Sequence, residues 1–292
     1  MQVPSYIGRF APSPTGPLNF GSVVAALGSY LQAKQQQGLW RVRMEDIDQP
    51  RTVAGADKLI LEQMEQLGLG WDGEVIYQSQ RTGHYQHALE LLQQADLVFR
   101  CYCSRKEIGD RPYPGTCRTS TTSKNGDYAI RVKVEQEPGG FIDRIQGAYQ
   151  QSIQQSSGDF VIKRKEGLFA YQLAVVVDDA DQQITEIVRG ADLIDSSCQQ
   201  IYLQQLLGFQ QPAYVHLPVA QDQQGNKISK QDGATAIDLR QPGKILVNVL
   251  DYLGQNPPTT LSKENVSAII QWAVEHWDIS LVPRARAIRL GL

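Results

Sequence analysis

Three stretches of this 292-residue chain carry residue types that can do chemistry at useful spacing. The first is Ala11-Pro12-Ser13-Pro14-Thr15-Gly16-Pro17-Leu18, which leads into Asn19-Phe20-Gly21-Ser22. A proline- and glycine-rich loop opening a helix is either an ordinary βα connection stiffened by proline or a phosphate site, because N–H groups at a helix N-terminus point outward and carry about half a positive charge. Gly16 and Gly21 let the backbone approach a ligand closely. Arg9 precedes this loop, and Glu45-Asp46-Ile47-Asp48 ends the next strand at the same sheet edge. Such carboxylates suit an ammonium, a ribose or a metal. The second stretch holds Cys101, Cys103 and Cys117. Three clustered thiols suit zinc, which wants a fourth ligand. No histidine lies between 99 and 158, so spacing leaves that place open to Asp110 or water. Cys198 sits apart in a helical run and reads as a buried thiol. The third stretch is the polar loop 221–233, with Lys227 and Lys230 between Gly225 and Gly233. A lysine on such a hinged loop can close over a triphosphate as a flexible point charge.

These residues need elements to hold them. A strand at 6–10, a helix at 20–37 and a strand at 39–45 make a βαβ unit, so the expected class is α/β with a parallel, Rossmann-like sheet. Helices are expected at 54–68 and 82–96. The pattern breaks from 100 to 158, where short β-like runs such as Ala129–Val134 are interrupted by turns. Strands are expected at 159–163, at the Val-rich run 171–177, at 184–188 and at 214–218. Helices are expected at 195–207, about 243–254 and 262–276. The implied organisation is a first catalytic half over 1–98, an insertion over 99–158, a second half with the lysine loop over 159–235, and a short helical part over 236–292.

Composition narrows the function. Hydrophobic residues make up 41% of the chain, too many for a disordered one. The formal charge of −3 gives no global basic field, so contact with nucleic acid must come from local patches. Residues 100–127 carry six cations (Arg100, Arg105, Lys106, Arg111, Arg118, Lys124) against three carboxylates. Arg284, Arg286 and Arg289 form a second patch. Four cysteines in a chain this long are no disulfide scaffold and point to a reducing compartment. No apolar run approaches the roughly 20 residues of a membrane helix, and the first residues do not read as a signal peptide. A cytoplasmic monomer without membrane contact is expected.

The motifs Arg9 to Gly16, Leu18 to Ser22 and Arg43 to Asp48 resemble the start of class I glutamyl-tRNA synthetases. Gly158-Asp159-Phe160, Tyr171 to Asp179 and Ile187 to Asp192 look like their second half-domain. Asn226-Lys227-Ile228-Ser229-Lys230 is similar to the class I lysine loop. The motifs stand in family order over about residues 6–233. About 60 residues follow the lysine loop, too few for the family's anticodon-reading helical region. The short form with a Cys-x-Cys insertion looks like the glutamyl-Q tRNA(Asp) synthetase family.

The resemblance implies a ligase that activates L-glutamate with ATP and Mg2+, without tRNA, and transfers it to the queuosine base of tRNA(Asp). It places Arg9, Ala11, Ser13, Glu45, Tyr171 and Arg189 on glutamate, with Glu45 on the α-ammonium and Tyr171 as a hydroxyl partner. It places Pro12, Thr15, Gly16, Asn19, Gly21, Ser22 and Lys230 on ATP, with Lys230 and Lys227 as catalytic cations. It supplies Tyr113 as fourth ligand of a structural zinc held by Cys101, Cys103 and Cys117. One departure stands out: Asn19 occupies the place of the family's signature histidine. Asn donates from a neutral amide, so a charge-assisted hydrogen bond of about 1.5–3 kcal/mol at most is lost. Competing readings are a truncated conventional glutamyl-tRNA synthetase, a non-catalytic nucleotide- or RNA-binding relic, and a small-molecule nucleotidyltransferase.

Overall fold

The computed structural model describes residues 5–119, 126–225 and 237–290. Lys124, Lys227 and Lys230 lie outside the described residues. Strand β1 (Ile7–Phe10), helix α1 (Phe20–Gln35) and strand β2 (Leu39–Met44) form the expected βαβ unit, with β1 and β2 parallel. The turn between α1 and β2 needs Gly38, because a Cβ there would sit 2.5 Å from the Tyr6 carbonyl oxygen. Helix α2 (Ala56–Gln66) leads to β3 (Ile76–Tyr77), which extends the sheet parallel to β2, and α3 (Thr82–Gln94) follows.

Next come β4 (Val98–Cys101), α4 (Arg105–Ile108), β5 (Ala129–Val132), β6 (Phe141–Asp143), β7 (Gly147–Tyr149), α5 (Ile153–Ser156) and β8 (Val161–Lys163). The chain continues through α6 (Tyr171–Asp181), β9 (Glu186–Gly190), α7 (Ile194–Leu207), β10 (Ala213–Leu217) and β11 (Val219–Gln221). It closes with α8 (Pro242–Tyr252), α9 (Val266–His276) and β12 (Ala287–Arg289), which returns to pair in parallel with β11.

Strands β9, β10 and β6 are parallel neighbours, with β7 at the edge. β1 lies against β9, where the Thr185 N–H donates to the Ile7 carbonyl at 2.9 Å. Their carboxyl ends, Phe10 and Gly190, line one crevice, the place where open α/β sheets bind ligands. Strands β4, β5 and β8 form a separate antiparallel sheet, with Cys101 at the end of β4. Residues 141–149, read from the sequence as part of the insertion, pair instead into the main sheet.

Residues 171–177 are helix, not the expected strand. Leu173 through Asp179 are all buried, so the helix has no polar face in that run and shows no 3.6-residue periodicity. A short apolar run of this kind cannot be told from a buried strand by pattern alone.

α1, β1, β2, α8 and α9 share one core around Leu27, Trp40, Leu250, Ile269 and Trp277. Truncating a buried Trp such as Trp40 to Ala would cost about 3–5 kcal/mol. A buried polar chain crosses that core: Trp277 Nε1 donates to Gln32 Oε1 at 2.8 Å, and Gln32 Nε2 donates to Glu186 Oε2 at 2.8 Å. A second core joins α3, α6, α7 and the small sheet through Leu89, Val132, Ile162, Val176 and Leu203. No described helix is long and apolar enough to cross a membrane.

Candidate active site

The crevice at the ends of β1 and β9 opens into a cavity of about 340 Å³. Phe10, Ala11, Pro12, Ser13, Thr15, Asn19, Gly21 and Ser22 form one wall, with Gly190, Asp192 and Val219 opposite. The wall is the loop expected from the sequence, and it ends at the N-terminus of α1. Asn19 is that helix's N-cap: its Oδ1 accepts from the Ser22 N–H at 2.8 Å and from the Ser22 hydroxyl at 2.9 Å. An Asn cap satisfies a helix donor that would otherwise lack a partner. Gly16, at φ +143°, uses the left-handed region that favours glycine but does not line the cavity.

A second cavity of about 310 Å³ adjoins the first and shares Ala11, Ser13, Arg51 and Leu193 with it. Glu45, Ile47, Asp48, Gln78, Arg164 and Tyr171 complete its lining. Burial raises the Glu45 pKa above its ordinary value, against the pull of Arg43 and Arg9. Arg43 donates to Glu45 Oε1 at 3.3 Å. Arg164 pairs with Asp48 at 3.1 Å. This cavity thus offers two carboxylates, a phenol and two guanidinium groups, a set suited to a small zwitterion.

Arg9 and Arg189, both expected at the substrate, are buried and line neither cavity. Arg9 Nε donates to Asp179 Oδ1 at 3.1 Å, and Arg43 Nη1 donates to the same oxygen at 2.8 Å. Burial alone would raise the Asp179 pKa, but the Arg43 and Arg9 charges outweigh it and hold the carboxyl below its usual value. Arg189 stands behind the second cavity, with Nη1 donating to the Tyr171 hydroxyl at 3.3 Å. Burial raises the Tyr171 pKa, so the phenol stays protonated. Sequence reasoning missed Arg51, Asp179, His216 and Ser197. Asp179 lies inside the family-like run, but its reach to Arg9 depends on 171–181 being helix.

The cysteines converge as their spacing suggested. Sulfur atoms of Cys101, Cys103 and Cys117 lie within 4.8 Å of one another, with Cys103 and Cys117 at 3.6 Å. Two sulfurs on a tetrahedral zinc with bonds of about 2.3 Å sit about 3.8 Å apart, so the set fits a metal. The Tyr113 oxygen lies 3.4 Å from Cys101 Sγ and 3.9 Å from Cys103 Sγ. Asp110 is not in the group. Burial pushes the Cys103 thiol up to about 11. Burial also acts on Cys117, but hydrogen bonds from the Tyr102 backbone, Tyr113 and the other thiols bring it to about 7. A thiol that ionises near neutrality is ready to ligate a cation.

Residues 7–271 match the catalytic domain of class I tRNA synthetases (E and Q). The glutamyl-Q tRNA(Asp) synthetase of Dechloromonas aromatica is 49% identical, over 98% of each chain. That of Vibrio parahaemolyticus is 46% identical, over 95% of this chain and 94% of its own. A glutamate tRNA ligase from Elizabethkingia meningosepticum, solved in complex with its amino acid, superposes with a TM-score of 0.80 at 25% identity. The match covers 97% of this chain and 66% of that one.

Proposed function

The chain belongs to the class I glutamyl and glutaminyl tRNA synthetases, within them to the glutamyl-Q tRNA(Asp) synthetases, and from this premise we propose how its two cavities work together. The protein is an ATP-dependent ligase that activates L-glutamate and transfers it to the queuosine base of tRNA(Asp). The observation that carries the mechanism is the shared wall: Ala11, Ser13, Arg51 and Leu193 border both cavities. In this reading a substrate carboxylate in one meets an ATP phosphate in the other across that wall.

Glutamate occupies the cavity of Glu45 and Tyr171. Glu45 takes the α-ammonium. The side-chain carboxylate turns to the Tyr171 hydroxyl and to Arg189 behind it. A glutamine amide would set its own N–H donors against these donors and be rejected. ATP occupies the other cavity, its phosphates against the α1 N-terminus at Gly21 and Ser22, with Mg2+ accompanying the nucleotide. The α-carboxylate is ionised at neutral pH, so no general base is needed. It attacks the α-phosphorus and pyrophosphate leaves, giving glutamyl-AMP. Catalysis comes from in-line positioning and from cations that receive the leaving charge. Lys230 and Lys227 are assigned that part by resemblance. Arg9 acts from below, holding Asp179 and the strand end. Cys101, Cys103, Cys117 and Tyr113 would hold a structural zinc ion, which would tie β4 to the segment after α4, away from the reacting groups.

The test is glutamate-dependent ATP–pyrophosphate exchange without RNA, with glutamine and aspartate as controls. Labelled glutamate is then offered to tRNA(Asp) with and without queuosine, and to tRNA(Glu). Exchange with glutamate alone and labelling only of queuosine-bearing tRNA(Asp) are expected. Exchange that requires tRNA(Glu) would sink this reading in favour of a conventional synthetase.

A further inference from the structure

His216 on β10 is fully buried and sits between a carboxylate and a guanidinium. Its Nδ1 lies 2.7 Å from Asp143 Oδ2, and its Nε2 lies 3.1 Å from Arg189 Nε. A guanidinium has N–H donors and no acceptor, so the second contact requires a lone pair on Nε2. The imidazole is therefore neutral, with its proton on Nδ1 and donated to Asp143. Asp143 is itself fixed: its Oδ1 accepts the N–H groups of Ile145 at 3.0 Å and Gln146 at 2.8 Å.

Arg189 is thereby held at all three of its nitrogens. Nε donates to His216, Nη2 donates to Ser197 Oγ at 2.8 Å and to the Leu193 carbonyl at 3.4 Å, and Nη1 reaches Tyr171. The Tyr171 oxygen, accepting from Nη1, turns its own hydrogen elsewhere, and Tyr171 lines the second cavity. We infer that His216, locked by Asp143, is a positioning residue for amino-acid recognition: it fixes the Arg189 plane, and Nη1 in turn fixes the Tyr171 oxygen so that the phenol hydrogen is turned to a substrate carboxylate in the second cavity. Loss of the Nε2 acceptor lets the guanidinium rotate, and carboxylate recognition weakens while nucleotide binding does not.

The Ser197 hydroxyl also lies 3.3 Å from Nε2, and the groups around the ring on balance favour the neutral imidazole. Burial lowers its pKa, the Asp143 bond opposes, and the Arg189 charge lowers it further; Asp192 pulls weakly upward. Phe141 and Tyr214 supply ring faces, with Tyr214 stacked at 6.1 Å.

The inference rests on the glutamate reading, so its test has an arm independent of activity. Imidazole nitrogen NMR on the whole protein reads the tautomer directly: a neutral ring protonated on Nδ1 is expected, and a doubly protonated ring or one protonated on Nε2 would overturn the proposal. In the exchange assay, His216→Phe is expected to raise KM for glutamate by at least about tenfold, as loss of a hydrogen bond to a charged group implies, with KM for ATP within about twofold. His216→Gln, which keeps an acceptor near the Nε2 position, is expected to recover much of the loss. Equal KM changes for glutamate and ATP, or Phe and Gln variants that behave alike, would count against it. Should His216→Phe not fold, Asp143→Asn removes the charge that fixes the tautomer and is expected to raise KM for glutamate alone; an unchanged value would again overturn the proposal. Wild-type protein that exchanges with no amino acid would sink the functional reading and leave the tautomer result standing.

Discussion

Arg9 Nε donates to Asp179 Oδ1 at 3.1 Å, which ties the central strand β1 to helix α6 directly beneath the crevice. Both side chains are almost wholly buried, and Arg43 reaches the same carboxylate. Arg9→Ala is therefore expected to cost about 3 kcal/mol of stability, the lower end for breaking a buried pair, since Arg43 still compensates Asp179. It is also expected to raise KM for glutamate more than KM for ATP. Denaturant unfolding and exchange kinetics measure the two effects. An intact KM for glutamate in the folded variant would reduce Arg9 to a structural residue.

The neutral His216 carries a pH dependence. Its folded pKa is held below the ordinary 6.5, so below that pH the unfolded chain binds a proton that the folded chain does not. Its contribution to stability is complete above about pH 6.5 and is lost as the pH falls toward the lowered value, at up to about 1.4 kcal/mol per unit. Urea unfolding between pH 7.5 and 5.5 checks this. His216→Gln is expected to flatten the slope, and an unchanged slope would contradict it.

Asn19 separates two roles in one side chain. Asn19→Ala removes the α1 cap and is expected to cost about 1 kcal/mol. Asn19→Asp keeps a capping oxygen and much of the stability, but places a negative charge beside the nucleotide phosphates. It is expected to raise KM for ATP with KM for glutamate little changed. If both variants leave KM for ATP at the wild-type value, Asn19 caps the helix and does nothing for the nucleotide.

The thiol cluster is checked by metal analysis. The purified protein is expected to hold about one zinc per chain, and chelation to destabilise the small sheet. Cys103→Ser should lower the zinc content sharply. Tyr113→Phe should lower it less, because three sulfurs remain. Equal zinc content in wild type and Cys103→Ser would remove the metal reading.

Much of the site was legible because its chemistry is local. The loop Ala11–Leu18 and the start of α1 lie within a dozen residues, and a strand running through prolines and glycines into a helix can fold in few ways. Cys101, Cys103, Tyr113 and Cys117 lie within 17 residues. The fold class followed from the βαβ alternation at the start. Residues 171–181 were harder: a run of valines looks the same to pattern analysis in a strand and in a helix buried on all sides.

The amino-acid sequence by itself determined the class of fold, the proline-glycine loop that opens α1, the cysteine set and the carboxylate at Glu45, since each depends on neighbours a few bonds away. Only the tertiary structure decided where the arginines turn. Arg9 meets a carboxylate 170 positions away, and His216 meets one 73 positions away. No local spacing encodes such pairs. They form because the sheet carries charged side chains into an interior where an unpaired charge is costly, so each must find the one partner that the packing brings within reach.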